Sequence, residues 1–126
     1  MIKMGSFENH RKLYDLFKKD AEKETLSNPS RAELYFLSIF HLIEACAAKF
    51  NYHIHKHQRV RSILEGDINI FRDDTKKVWR LFQEIETRLR PKFTYGFSGS
   101  KEDFELIIQK YSKIEAICLE MIKDKS

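Results

Sequence analysis

Apolar residues recur at helical spacing through most of the chain, and no segment shows the sustained two-residue alternation of a half-buried strand. Five helical segments follow. The first covers about residues 7–24, where Phe7, Leu13, Tyr14, Phe17 and Ala21 make a narrow apolar stripe. Pro29 disfavours helix at Asn28, and the second helix is expected to start at Ser30, where Ser30-Arg31-Ala32-Glu33 reads as a capping box. From Leu34 to Ala48 this helix is apolar on most faces, which only a helix covered by neighbours on most sides can be. A polar connector over 51–57 leads to a short third helix, about 58–65, closed by Gly66 and Asp67. Ile68, Ile70 and Phe71 are expected to tuck back against the core. The fourth helix spans about 73–90, with Val78, Leu81, Phe82, Ile85 and Leu89 as its stripe and Pro91 as its stop. The fifth opens at Ser100-Lys101-Glu102-Asp103, an N-cap followed by first-turn acids, and continues through Phe104, Ile107, Ile108, Tyr111, Ile114, Cys118, Met121 and Ile122.

The pattern defines an all-α fold: one domain over 1–126, an up-down bundle of four to five helices. Length agrees, since 126 residues suit a single core. Apolar residues at 42% exclude intrinsic disorder, and 4 Gly with 2 Pro are too few for the many turns of an all-β chain. No apolar run approaches the roughly 20 residues of a membrane span, and the N-terminus has no signal-peptide core. Cys46 and Cys118 fall on apolar helical positions, as buried free thiols do, so a cytoplasmic location is expected.

A net charge of +4 permits an acidic partner without demanding one. If short links make successive helices antiparallel, the links after the second and fourth helices share one end of the bundle. That end would gather His53, His55, Lys56, His57, Arg59 and Arg61 with Arg88, Arg90 and Lys92; Asp20, Glu22, Glu24, Glu65, Asp67, Asp73 and Asp74 would fall at the other. A basic pole that also holds Tyr52, Phe93, Tyr95 and Phe97 suits nucleotides or single-stranded nucleic acid, because cations hold phosphate and aromatic faces stack on bases. The same residues also serve as end plugs and solvated charges.

His53, His55 and His57 would share a face in an extended segment and so reach one metal ion. In a helix they scatter, no carboxylate or cysteine lies beside them, and Lys56 and Arg59 oppose a cation, so no metal and no cofactor are expected. With Arg59 and Arg61 these histidines could instead contact phosphate or transfer a proton near neutral pH. His41 and Glu44, at i and i+3 on the second helix, are expected to form a structural polar pair rather than an acid–base pair. Arg88, Arg90, Lys92 and Tyr95 surround the end of the fourth helix, where cations complement the helix dipole and can also hold phosphate. No phosphate-binding glycine loop, zinc-knuckle cysteine set or serine-hydrolase elbow is present.

The run Tyr35-Phe36-Leu37-Ser38-Ile39-Phe40-His41-Leu42-Ile43-Glu44-Ala45 resembles the second helix of HEPN (higher eukaryotes and prokaryotes nucleotide-binding) domains. His57-Gln58-Arg59-Val60-Arg61 is similar to the His-x-x-Arg element after that helix, and Arg90-Pro91-Lys92-Phe93-Thr94-Tyr95-Gly96 to an Arg-x-x-x-x-Tyr-Gly segment of a prokaryotic branch. The likeness covers most of residues 30–99. It implies a helical bundle, often a homodimer, often beside a small nucleotidyltransferase in toxin–antitoxin pairs, and in active members a metal-independent endoribonuclease built on an arginine and a histidine. Arg90 matches the arginine, but Tyr95 stands near the histidine position, and tyrosine, with a pKa near 10, is a weak general base at neutral pH. The resulting expectation is a protein that binds RNA or a nucleotide, or serves a nucleotidyltransferase as partner, through His53, His57, Arg59, Arg61, Arg90, Lys92 and Tyr95. One alternative is an endoribonuclease using His57 and Arg90; another is a non-catalytic interaction module with an exposed apolar stripe on the first or fifth helix.

Overall fold

The computed structural model describes residues 4–96 and 98–123. They form helices α1 (Met4–Ala21), α2 (Asn28–Ala48), α3 (Val60–Gly66), α4 (Thr75–Glu84), α5 (Arg90–Thr94) and α6 (Lys101–Lys123), with 3₁₀ turns at His57–Arg59 and Arg72–Asp74. There is no strand among the described residues, and no described helix is long and apolar enough to cross a membrane.

α2 is the centre, as its all-round apolarity requires. Ile39, Leu42, Ile43, Ala45, Cys46 and Ala47 are fully buried, which places buried groups on every side of the helix. α1 runs antiparallel to it: Arg31 Nε donates to the Ala21 carbonyl at 2.7 Å at one end, and Lys49 Nζ lies 4.3 Å from the Phe7 ring centre at the other. α6 runs parallel to α2, with Tyr35 against Phe104 and Tyr111 (6.2 and 5.0 Å between ring centres) and Cys46 Sγ donating to the Cys118 carbonyl at 3.7 Å. Both cysteines are free and buried. One polar chain crosses this interior. Tyr111 donates to Ser38 Oγ at 2.8 Å, and Ser38 donates to the Tyr14 carbonyl at 2.9 Å. Burial raises the Tyr111 phenol above its ordinary value, so it stays a neutral donor.

Some sequence expectations change at the start of α2 and in the link after α3. α2 begins at Asn28 because Ser27, not Ser30, is the cap: Ser27 Oγ accepts from Ser30 N at 3.3 Å. Pro29 then occupies the first turn, where its missing N–H has no helical partner to lose. Glu33 is thereby released from capping and pairs with Arg90. Ile70 and Phe71 do tuck into the core, but Ile68 is 62% exposed.

Pro91 does not stop the fourth helix. α4 passes through a π-helical turn, Ile85–Leu89, in which the Arg90 N–H bonds to the Ile85 carbonyl five residues back, and continues as α5. A proline ring in a regular helix collides with the carbonyl four residues earlier, here Thr87; the wider turn moves that carbonyl aside. Tyr95 N to the Pro91 carbonyl, then Ser98 N and Gly99 N to the Lys92 carbonyl, end α5 instead. At α6 the expected cap is present and reciprocal: Asp103 N donates to Ser100 Oγ at 3.0 Å, and Ser100 N to Asp103 Oδ2 at 3.1 Å.

The α4–α5 rod is antiparallel to α2, with Phe82 stacked on Phe36 at 5.3 Å and Arg90 beside Glu33. The link after α2 and the link after α5 therefore lie at opposite ends of the bundle. The single basic pole expected from chain reversal is not formed, because residues 49–74 do not act as a rod: they leave the C-terminal end of α2, fold down its side and return to the same end before α4. His53 and His55 share that end with Asp67, whereas Arg90 and Lys92 share the other with the link after α1.

Candidate functional site

The descending segment nevertheless carries His57 towards Arg90, and both meet on Phe36. The Arg90 guanidinium carbon lies 4.1 Å from the centre of the Phe36 ring, and the His57 ring meets the same ring edge-on at 5.1 Å. His57 is set by three neighbours. Phe36 and Phe40 hold its ring from α2, and Glu86 Oε2 on the π-helical turn takes its Nδ1. That turn thus has a second consequence, presenting Glu86 and Arg90 together to one side of α2. Arg90 Nη1 reaches both oxygens of Glu33 at 3.3 and 3.4 Å, while its Nε is buried without a hydrogen-bond partner. An imidazole with one nitrogen on a carboxylate, next to a guanidinium whose Nη1 can exchange Glu33 for another anion, is equipped to hold phosphate and to move a proton.

The remaining expected residues divide. Arg61 lies over the Trp79 ring at 3.9 Å and pairs with Glu65 at 3.3 Å. Arg59 is exposed, and among the described residues neither it nor Arg80 or Arg88 enters an ion pair. Lys92 pairs with Asp103 at 3.4 Å, a carboxyl that the Ser100 bonds first, and Lys92 after them, hold below the usual range. Tyr95 is 78% exposed at the end of α5. Phe93 is buried as a plug against Phe104, Tyr52 donates to Asp67 at 2.9 Å, and Phe97 lies outside the described residues. A cavity of about 620 Å³ lies apart from all of these, against Asp73, Asp74 and Glu120, and its acids oppose a phosphate.

His53, His55 and His57 do not converge. His53 stacks on His55 at 5.6 Å while His57 points to Glu86. A different cluster forms at the C-terminal half of α2. His41 and Glu44 face each other as expected, with Nδ1 3.5 Å from Oε1, and His10 of α1 joins them, its Nδ1 2.9 Å from His41 Nδ1 and 3.5 Å from Glu44 Oε1. Burial, with His10 beside it, pushes His41 down to about 4; burial and the nearby His53 and His55 also lower His10. Both imidazoles are therefore neutral at pH 7 despite the carboxylate beside them. Burial raises Glu44, opposed by the His55 backbone N–H, which donates to its Oε2 at 3.2 Å. His10 is the residue that sequence reasoning missed. Its signal was present, since His10, Tyr14, Phe17 and Ala21 repeat at i, i+4, i+7 and i+11 and put the imidazole on the buried stripe of α1.

Compared with known proteins, the chain matches no family model, and no curated protein or solved structure is significantly similar to it.

Proposed function

We propose that this is a HEPN-like helical protein that binds RNA or a nucleotide, with Arg90 and His57 as its phosphate contacts and Arg59 as an exposed flanking cation. The observation that carries the reading is the shared Phe36 ring, which brings together a histidine and an arginine separated by α3 and α4 in the sequence. Their acidic partners do not close the site. Glu33 is 36% exposed against 14% for Arg90, so the pair opens to solvent on its carboxylate side, where a phosphate, with more charge and more acceptor oxygens, can replace it. Such a protein works in the cytoplasm, as a homodimer or beside a nucleotidyltransferase, in keeping with the resemblance of its α2 sequence.

Anisotropy of a labelled single-stranded RNA, followed from low to moderate salt, tests this. Each phosphate contact adds about 0.7 to the log–log salt slope for a single strand, so Arg90→Ala should weaken binding and flatten the slope by roughly that amount. Binding that ignores salt, or an Arg90→Ala protein with the parental slope, refutes it.

A second reading, metal-independent RNA cleavage, is favoured by the Glu86 contact to His57 Nδ1, which leaves Nε2 for proton transfer. Its signature is chelator-resistant cleavage lost in both His57→Ala and Arg90→Ala; no cleavage anywhere between about pH 5 and 8, the span in which histidine changes charge, excludes it. The interaction-module reading finds less support: Leu16, Leu26, Ile68 and Tyr95, the exposed large apolar side chains among the described residues, lie on separate elements and make no stripe.

A further inference from the structure

We propose that His10 Nδ1, His41 Nδ1 and Glu44 Oε1 are a three-ligand site for one divalent transition-metal ion of the zinc class. The three atoms form a triangle with edges of 2.9, 3.5 and 3.5 Å. An ion about 2.1 Å from each, the length of zinc–nitrogen and zinc–oxygen bonds, fits just outside the plane of that triangle, as in one face of a tetrahedron. Two imidazoles and a carboxylate are the donor set that zinc accepts with an open fourth position. His10 is 21% and His41 17% exposed, so water can reach the cluster and fill that position.

The surroundings hold the donors in place. His41 stacks with both His10 at 5.2 Å and Phe17 at 5.7 Å, contacts that restrain its ring. Glu44 divides its oxygens, Oε1 towards the imidazoles and Oε2 to the His55 N–H, and such outer hydrogen bonds orient metal-binding carboxylates. The His55 bond is bought with backbone strain, since φ at His55 is +63° in a residue that is not glycine. Lys49, which follows α2, lies over Phe7 rather than being paired with Glu44. The site is separate from Arg90 and His57, so it stands whether or not RNA binds there.

The test is titration of the metal-free full chain with Co²⁺, read by its visible absorption, which is intense only in tetrahedral coordination. One ion per chain is expected, displaced by Zn²⁺, with affinity at least about tenfold weaker in His10→Ala, His41→Ala and Glu44→Gln, since even outer-shell losses reach that size. For a reading that needs no variant, imidazole ¹⁵N shifts of the Zn²⁺-loaded wild-type chain should move at Nδ1 of His10 and His41. Absence of the tetrahedral signature, unaltered affinity in the variants, or shifts at His53 and His55 alone would overturn the site.

Discussion

The same substitution, Gly→Ala, should have opposite effects at two places in this molecule. A Cβ on Gly99 would lie 2.6 Å from Phe93 Cδ1 and closer still to Cε1 and Cζ, a separation real Cβ atoms do not tolerate. Phe93 cannot yield easily, because it is 3% exposed and packed against Phe104 under the start of α6. Overpacking of this kind costs about 1–3 kcal/mol. For a domain of this size each kcal/mol moves Tm by about 4 °C, so Gly99→Ala should melt roughly 4–12 °C lower. Gly66, at the end of α3, has nothing within 4 Å of a built Cβ, and neither glycine has positive φ. There alanine only restricts the unfolded chain and adds about 0.5–1 kcal/mol, raising Tm by a few degrees. Thermal unfolding followed by helical circular dichroism measures both. Adding Phe93→Leu to Gly99→Ala should cost less than the two singles together, because the second change empties the space the first invades. If Gly99→Ala melts at or above the parent, the close packing of Gly99 on Phe93 is wrong.

Ser38→Ala should cost about 1–3 kcal/mol in urea unfolding, since it leaves the buried Tyr111 hydroxyl and Tyr14 carbonyl without their shared partner. In chelator-treated protein, stability should fall with acid because of His41: the unfolded chain takes up a proton near pH 6.5 and the folded one only near about 4. More protons bound in the unfolded state means stability rises with pH across that window, and the loss from pH 7 to pH 5 is about 2 kcal/mol. His10 acts in the same direction, and Glu44, raised by burial, in the opposite one. His41→Leu should flatten this slope; an unchanged slope would show that His41 is not held neutral. Glu33→Gln frees Arg90 and should tighten RNA binding by up to about fivefold, the equivalent of a surface ion pair, and weaker binding would contradict the phosphate role.

What could be read from the sequence was set by local periodicity, and what could not was set by contacts distant along the chain. α2 was evident because burial on every face leaves an unbroken apolar run, and the α6 cap because Ser100 and Asp103 are three residues apart. Pro91 misled because its effect depends on whether the preceding turn widens, which the residues alone do not announce. The two-pole charge pattern failed because it treated residues 49–74 as a rod, whereas Ile54, Val60, Leu64 and Ile70 draw that segment flat against the core. His57 and Arg90 still meet, through the side of α2 rather than at a bundle tip. The His10 partnership with His41 spans 31 residues and needed the α1–α2 packing to appear.

The most direct test of the composite site is a titration of the isotope-labelled chain with a short single-stranded RNA, following side-chain resonances. Arg90 Nε–H, the His57 ring and the Phe36 ring should shift together with one binding curve, while His53 and His55 at the far end stay still. Shifts confined to His53 and His55, or none at Arg90, would show that the histidine and arginine gathered on Phe36 do not hold phosphate.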